Sequence, residues 1–226
     1  MSAVVWALTA GLSLAGSHSV IRMGTEGAYP PWNYVDDNGE VAGFERELGD
    51  ELCKRAELNC EWVINDWDSI IPNLVSGNYD TIIAGMSITD ERQEKIDFTS
   101  NYTQPDPSSY VAASEGANLS GGIIAAQSNT IQAAYIAATG ATLVEFATPE
   151  ETISAVKNGE ADAVLADTSY LNPIVAEDSG LIFVGDKVLI GGGVGMGIRK
   201  SDADLRDKFT APINSMKADG TLNALI

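Results

Sequence analysis

Apolar positions recur along this chain in two alternating rhythms, a helical one and an extended one. From Gly43 to Leu58, Phe44, Leu48, Leu52 and Ala56 fall on one face, which predicts a helix. Residues 68–76 predict a second helix, closed by Gly77. Thr81 to Ser87 reads as a short apolar strand, Ile123 to Ala126 as another, and Leu143 to Phe146 as a third. Between the last two, Asn129 to Ala138 is alanine-rich and helical, stopping near Gly140. A further helix starts where Thr148 can cap, Pro149 suits the first helical position and Glu151 completes a capping box. It ends at Gly159, and Ala161 to Ala166 forms the next strand. Such alternation predicts an α/β protein with mainly parallel sheets.

The segment Gly77-Asn78-Tyr79-Asp80-Thr81-Ile82-Ile83-Ala84 is echoed by Gly159-Glu160-Ala161-Asp162-Ala163-Val164-Leu165-Ala166. Each is a helix-ending glycine, two residues, an aspartate and a buried strand. The separation suggests one copy in each of two lobes; two ordinary helix-to-strand links would look the same. Each strand would deliver its following residues, Gly85 to Ser87 and Asp167 to Thr168, to a sheet's carboxyl end, where open α/β sheets bind ligands.

Size and charge narrow the classes. The chain has 226 residues, 45% hydrophobic, enough for one large or two small cores. With 32 acidic and 13 basic side chains its formal charge is −19. That repels nucleic acid and anionic membranes and favours a cationic solute, although solvated surface charge for solubility explains it as well. The apolar run Ala3 to Ala15, followed by Gly16 and Ser17, looks like a secretory signal segment lacking the usual early Lys or Arg; a buried first element or a remnant is the other reading. It is too short and small-residue-rich for a membrane span. Cys53 and Cys60 would stand about 10 Å apart in a continuous helix, too far to bond. A helix ending near Glu57 or Asn59 and turning back could join them, contributing roughly 2–3 kcal/mol; two reduced core thiols remain the alternative. With His18 they make a poor zinc set, so no metal and no cofactor is expected.

Some residues could grip a zwitterion, which needs a cationic fork for its carboxylate and an acceptor for its ammonium. In Ser87-Ile88-Thr89-Asp90-Glu91-Arg92, Thr89 can cap a helix and Arg92 lies in its first turn. Arginine suits a positive helix start poorly, unless it reaches back to an anion; a surface arginine paired with Asp90 or Glu94 fits the spacing equally. Gln127-Ser128-Asn129-Thr130 offers hydroxyls and N–H groups for an anion, or plain capping. Asp167 could accept from an ammonium, or cap the helix starting at Thr168. Tyr29, Trp32 and Trp67 could wall a side-chain pocket; core packing must hold at least one of them.

Taken in order, these residues resemble the extracytoplasmic solute-binding proteins of polar amino acid ABC importers, from about Ile21 to Leu225. The resemblance is carried by Gly24 to Tyr34, Gly39 to Phe44, Asp66 to Pro72, Ser87 to Arg92 with Ile96-Asp97-Phe98, and Gly159 to Asp167. It is nearest to the lysine/arginine/ornithine- and histidine-binding branch, where Leu52-Cys53-Lys54-Arg55 and a second cysteine seven residues after the first carry a disulfide, implying Cys53–Cys60. The fold implied is the two-lobed periplasmic binding protein type II fold: two mixed sheets joined by two hinge strands, near Gln104–Ser109 and Val184–Ile190. One lobe would comprise residues 20–105 and 188–226 and the other 106–187, with 1–19 a signal segment or remnant.

The resemblance also implies roles. Arg92 would clamp an α-carboxylate, with Ser87 and Thr130 donating to it, and Asp167 would hold the α-ammonium. Tyr29 and Trp67 would line the side-chain pocket, backbone at Ala84 and Gly85 would add contacts, and Glu26 would face a distal cation. The implied protein is an exported, soluble, periplasmic monomer that binds a basic amino acid by lobe closure, with ABC permease subunits as partners. The stretch from Gly116 to Gly121 is shorter than the family's, which loosens the register of Ser128 to Thr130, and the family's Lys- and aromatic-rich tail is missing after Leu225, which could weaken the last sheet contacts. A rival is a periplasmic dehydratase acting on prephenate or arogenate, with Glu26 as general acid; no nucleophile–base pair supports it. Fused sensor segments are not seen. Gly191 to Gly197 fits neither nucleotide-loop pattern and reads as a crossing into a strand. Asp36 to Gly39 reads as a hairpin turn.

Overall fold

The computed structural model describes residues 20–226. The segment expected to be a signal, with His18, lies outside them. In chain order come β1 (Ile21–Thr25), β2 (Ala28–Tyr29), β3 (Asn33–Val35), β4 (Val41–Ala42), α1 (Phe44–Arg55), β5 (Cys60–Ile64), a 3-10 turn (Trp67–Ser69), α2 (Ile70–Val75), β6 (Thr81–Ile82), α3 (Asp90–Lys95) and β7 (Asp97–Phe98). There follow β8 (Ser108–Ala112), β9 (Ile123–Gln127), α4 (Ile131–Ala137), β10 (Thr142–Phe146), α5 (Pro149–Lys157), β11 (Ala163–Asp167), α6 (Thr168–Glu177), β12 (Ile182–Val188), β13 (Gly197–Ile198), α7 (Ala203–Asp219) and α8 (Thr221–Leu225).

These build two mixed five-stranded sheets, ordered β5-β1-β6-β13-β7 and β10-β9-β11-β8-β12, beside a small β2-β3-β4 sheet. The two orders match position for position. β1 and β9 each pair in parallel on both sides, and the last two strands of each sheet run antiparallel. The echoed segments occupy equivalent places, as β6 and β11. The two aspartates also do the same job. Arg22 N–H donates to Asp80 Oδ2 at 3.0 Å and Ile123 N–H to Asp162 Oδ2 at 2.7 Å, while the aspartates' own N–H groups return to the same residues' carbonyls. Each carboxylate thus ties the start of a central strand to its neighbour. The chain passes between the sheets twice, at 99–107 and 189–196, and the two crossings meet where Thr103 bridges Val194.

Helices cover both faces of each sheet. Leu48 and Leu52 of α1 and Phe209, Ile213 and Met216 of α7 pack with Met23 on one face of the first sheet, all fully buried. Ile70, Leu74, Tyr79 and Ile82 fill its other face. Burial at this depth is worth about 1.5–3 kcal/mol per large aliphatic side chain. Thr148 and Glu151 form the expected capping box on α5. Two expected elements are shorter than the apolar runs suggested. The strand from Thr81 ends at Ile82, with one further bond from Ile83 N–H to Gly24 O, before Gly85 at φ +60° turns the tip toward the space between the sheets. α1 stops at Arg55, and Glu57 at φ 55° turns the chain back.

That reversal carries Cys60 to Cys53, and the two form a disulfide across a sequence separation of seven, with Cα atoms 6.3 Å apart. The bond pins the end of α1 to β5. Replacing both cysteines by alanine should remove about 2–3 kcal/mol of loop-closure stabilisation. In calorimetry of the oxidised protein this should lower Tm by roughly 5–10 °C, and added reductant should then have no further effect on the variant.

Candidate functional site

A cleft lies between the two sheets and takes its walls from both. The first-sheet side supplies Glu26, Tyr29, Trp67, Ala84, Gly85, Ser87 and Arg92, and the second-sheet side Gln127, Thr130, Gln132 and Asp167. All nine residues singled out for ligand contact therefore line one space. Trp32 does not. It packs in the core edge-on to Phe44, 5.7 Å between ring centroids, and its Nε1 donates to Ser169 Oγ at 2.6 Å.

Arg92 sits in the first turn of α3, capped by Thr89, and is 9% exposed. It does not pair with Asp90 or Glu94. Its guanidinium donates to Ser87 O at 2.8 Å and Asn129 O at 3.2 Å and lies 5.3 Å over the Trp67 ring. Two of its five N–H donors are thus used, both on neutral carbonyls. Burial lowers its pKa to about 10, opposed by the nearby negative charge of Glu91 and Asp167; it stays charged at neutral pH. A buried fork with donors to spare is suited to a planar anion.

Asp167 ends β11 and stands at the N-cap of α6, but its side chain makes no capping bond. Its carboxylate instead accepts from the Tyr29 hydroxyl at 3.0 Å and from Gln132 Nε2 at 2.8 Å. Tyr29 is held by stacking on Tyr170, with centroids 4.3 Å apart. Burial, helped by Asp106, raises the Asp167 pKa to about 7 against those hydrogen bonds. Glu26, in the turn after β1, accepts from Gln127 Nε2 at 2.6 Å, and burial raises its pKa to about 7 as well. Both carboxyls therefore sit where an approaching cation would tip them to the charged form.

Two expected contacts take a different form. The Thr130 hydroxyl donates to Gln127 O at 2.7 Å and accepts from Ala133 N–H at 3.1 Å, so it caps α4 and its proton is not free for an anion. The N–H of Gly85 points away from the cleft to Glu45 Oε1 at 2.6 Å, leaving the carbonyl as its available backbone group. Ser87 closes a bridge with Val194 and gives its carbonyl to Arg92. The sequence reading missed Gln132, which orients Asp167 and also reaches Ser108 Oγ at 3.0 Å. A lone glutamine in an alanine-rich helix carries no local signal. Further bonds cross the cleft rim, where Asp68 Oδ1 accepts from Ser128 Oγ at 2.5 Å and Asn129 Nδ2 at 2.9 Å. Among the described residues no group of three or more His, Cys, Asp or Glu is placed to hold a metal ion, and no helix is long and apolar enough to cross a membrane.

Comparison with known proteins matches residues 21–226 to the family model of bacterial extracellular solute-binding proteins, family 3. The chain is 32% identical to the lysine/arginine/ornithine-binding periplasmic protein of Escherichia coli, covering 100% of this chain and 93% of that one. It is 33% identical to the L-arginine-binding protein of Pseudomonas aeruginosa, over 88% of this chain and 83% of that one. It also superposes with TM-score 0.90 and 75% identity on a periplasmic His/Glu/Gln/Arg/opine family-binding protein from Silicibacter pomeroyi in complex with lysine, covering 92% and 95% of the two chains.

The raised pKa of Asp167 has a consequence for stability. The folded protein holds this proton more tightly than the unfolded chain, so the stabilisation is present at low pH and is lost as pH rises from about 4 through about 7. Asp167→Asn mimics the protonated group. Melting curves of the ligand-free proteins should show the variant gaining on wild type as pH rises from 5 to 8. A gap that narrows instead would contradict the burial of this carboxyl.

Proposed function

We propose that this chain, which belongs to the bacterial extracellular solute-binding proteins, family 3, is an amino-acid receptor that binds a basic amino acid in the cleft and delivers it to an ABC importer. What supports this most is one arrangement: Arg92 from the first sheet and Asp167 from the second line the same space, with Glu26 also facing it. In this reading the spare Arg92 donors take the α-carboxylate, Asp167 takes the α-ammonium and Glu26 takes the cation at the end of the side chain. Tyr29 and Trp67 pack against the aliphatic stem between them. Residues 20–105 with 188–226 and residues 106–187 act as the two lobes, closing about the crossings.

Charge balance is the reason for choosing a basic ligand. With Glu26 and Asp167 ionised and Arg92 protonated, the cleft carries one net negative charge. A basic amino acid brings one net positive charge and cancels it. A neutral amino acid brings no second cation, so Glu26, with its pKa raised to about 7, stays protonated and adds no ion pair, while glutamate brings a further anion with no spare cation to meet it. The named ligands of the relatives, lysine, arginine and ornithine, agree with this choice. The same relatives are named as binding proteins, and the raised Glu26 pKa is the expected state of a carboxyl prepared for a cation as much as of a general acid. Export to the periplasm and docking of the closed form on permease subunits belong to the same proposal, with the protein acting as a monomer.

Thermal-shift measurements test the reading directly. At a thousand-fold excess over Kd, a ligand stabilises by about 4 kcal/mol, roughly 8–16 °C for a chain of this size. Lysine, arginine, ornithine or histidine should produce such a shift, and leucine and glutamate should not. Arg92→Ala should abolish every shift, whereas Glu26→Gln should weaken basic ligands more than glutamine. The absence of a shift with all four basic amino acids would refute the specificity.

A further inference from the structure

Glu45 is wholly buried at 0% exposure, yet it does not line the cleft. It enters α1 just after Gly43, whose φ of 105° and close approach to Trp32 O suit only glycine. Its carboxylate gathers donors from three separate segments. Oε1 accepts from Gly85 N–H at 2.6 Å and from the Tyr102 hydroxyl, and Oε2 accepts from Asn33 Nδ2 at 2.6 Å. Asn33, also fully buried, passes the connection on, because its Oδ1 accepts from Gly27 N–H at 2.8 Å. No Lys or Arg pairs with Glu45 among the described residues. A buried carboxylate held only by neutral donors is a costly way to fill a core position. It is suited to fixing those donors in space, since all of them need an acceptor and a carboxylate has no proton of its own to misplace.

The segments it joins are those that carry the cleft. Gly85 belongs to the tip with Ala84 and Ser87, Gly27 to the turn with Glu26 and Tyr29, and Tyr102 to the first crossing between the sheets. We propose that Glu45 is a positioning residue: from beneath the cleft, it sets the spacing of the Glu26–Tyr29 turn and the Ala84–Ser87 tip and fixes both to the crossing at Tyr102. The inference rests on the reading of the cleft as an amino-acid site.

The bond directions supply a compensation test. In Glu45→Gln, the carbonyl can still serve Gly85 and Tyr102, but the new amide NH₂ meets that of Asn33, and turning Asn33 over sacrifices the Gly27 bond. Asn33→Asp alone sets two carboxylates face to face. In the double variant Glu45→Gln/Asn33→Asp, the new amide at position 45 donates to one oxygen of the new carboxylate at position 33. Gly27 donates to that carboxylate's other oxygen, and every bond is remade with the charge moved from one side chain to the other. Calorimetric titration with lysine and arginine, at a temperature where circular dichroism shows the proteins folded, should find Kd weakened about ten-fold or more in each single variant. The double variant should return to within about three-fold of wild type. A residue that served the fold alone would lower the ligand-free Tm without moving Kd. Single variants that bind as wild type, or a double variant no tighter than the singles, would overturn the proposal. If a single variant fails to fold, Tyr102→Phe, which removes one donor to Glu45 and keeps the ring, is titrated in its place; a weakened Kd supports the proposal and a wild-type Kd overturns it. Should wild type bind neither ligand, the reading of the cleft fails instead. The Gly27 and Gly85 amide proton shifts, moved in Glu45→Gln and restored in the double variant, would then judge Glu45 by themselves.

Discussion

Three ionisable side chains, Glu26, Arg92 and Asp167, share one low-dielectric cleft without forming an ion pair with one another, and the rest of the structure is arranged around that constraint. Each is held by neutral dipoles: Glu26 by Gln127, Arg92 by the Ser87 and Asn129 carbonyls, Asp167 by Tyr29 and Gln132. Dipoles steady a buried charge without neutralising it. The shifts toward neutrality, both carboxyls up to about 7 and the guanidinium down to about 10, measure how incomplete the compensation is. The proposed ligand, a basic amino acid, would supply the missing partners: an anion beside one cation and a second cation some distance away.

Holding unpaired charges in place takes a stiff scaffold, and the two sheets provide it by the same means. In each, a central parallel strand is bound to the next by an aspartate that accepts one amide proton near the strand's start. In each, the following residues run out of the sheet into the cleft. Glu45 extends the logic beneath the first-sheet wall, fastening two cleft-lining segments to one of the crossings through uncharged donors. Bonds span the cleft both near the surface, where Asp68 meets Ser128 and Asn129, and inside it, where Tyr29 meets Asp167, Gln127 meets Glu26 and Arg92 meets the Asn129 carbonyl.

Much of this was legible from residues close in sequence. Periodicity located most elements, the Thr148–Glu151 box placed α5, and the repeated glycine–aspartate–strand phrase marked β6 and β11 as equivalents. The ordered motifs from Gly24 to Asp167 pointed to the family, the cysteine pair and the residues around the cleft. Apart from two shortened elements, Trp32 in the core and the unforeseen Gln132, the details that departed were matters of hydrogen-bond direction. Nothing local says that the Thr130 proton goes to Gln127 O, that the Gly85 N–H turns inward to Glu45, or that Asp167 declines the helix it precedes.

What the sequence determined alone, then, was short-range: element periods, caps, turn glycines, the supply of acidic side chains and the order of motifs, because these depend on neighbours within a few residues. Tertiary structure decided which of the polar side chains share a space and which way each proton points. Glu45 meets Asn33, Gly85 and Tyr102 across 12 to 57 positions of chain, and Asp167 meets Tyr29 across 138. Such meetings follow from the packing of two whole sheets, and a buried donor's choice among acceptors is settled only by the geometry that remains when water has been excluded.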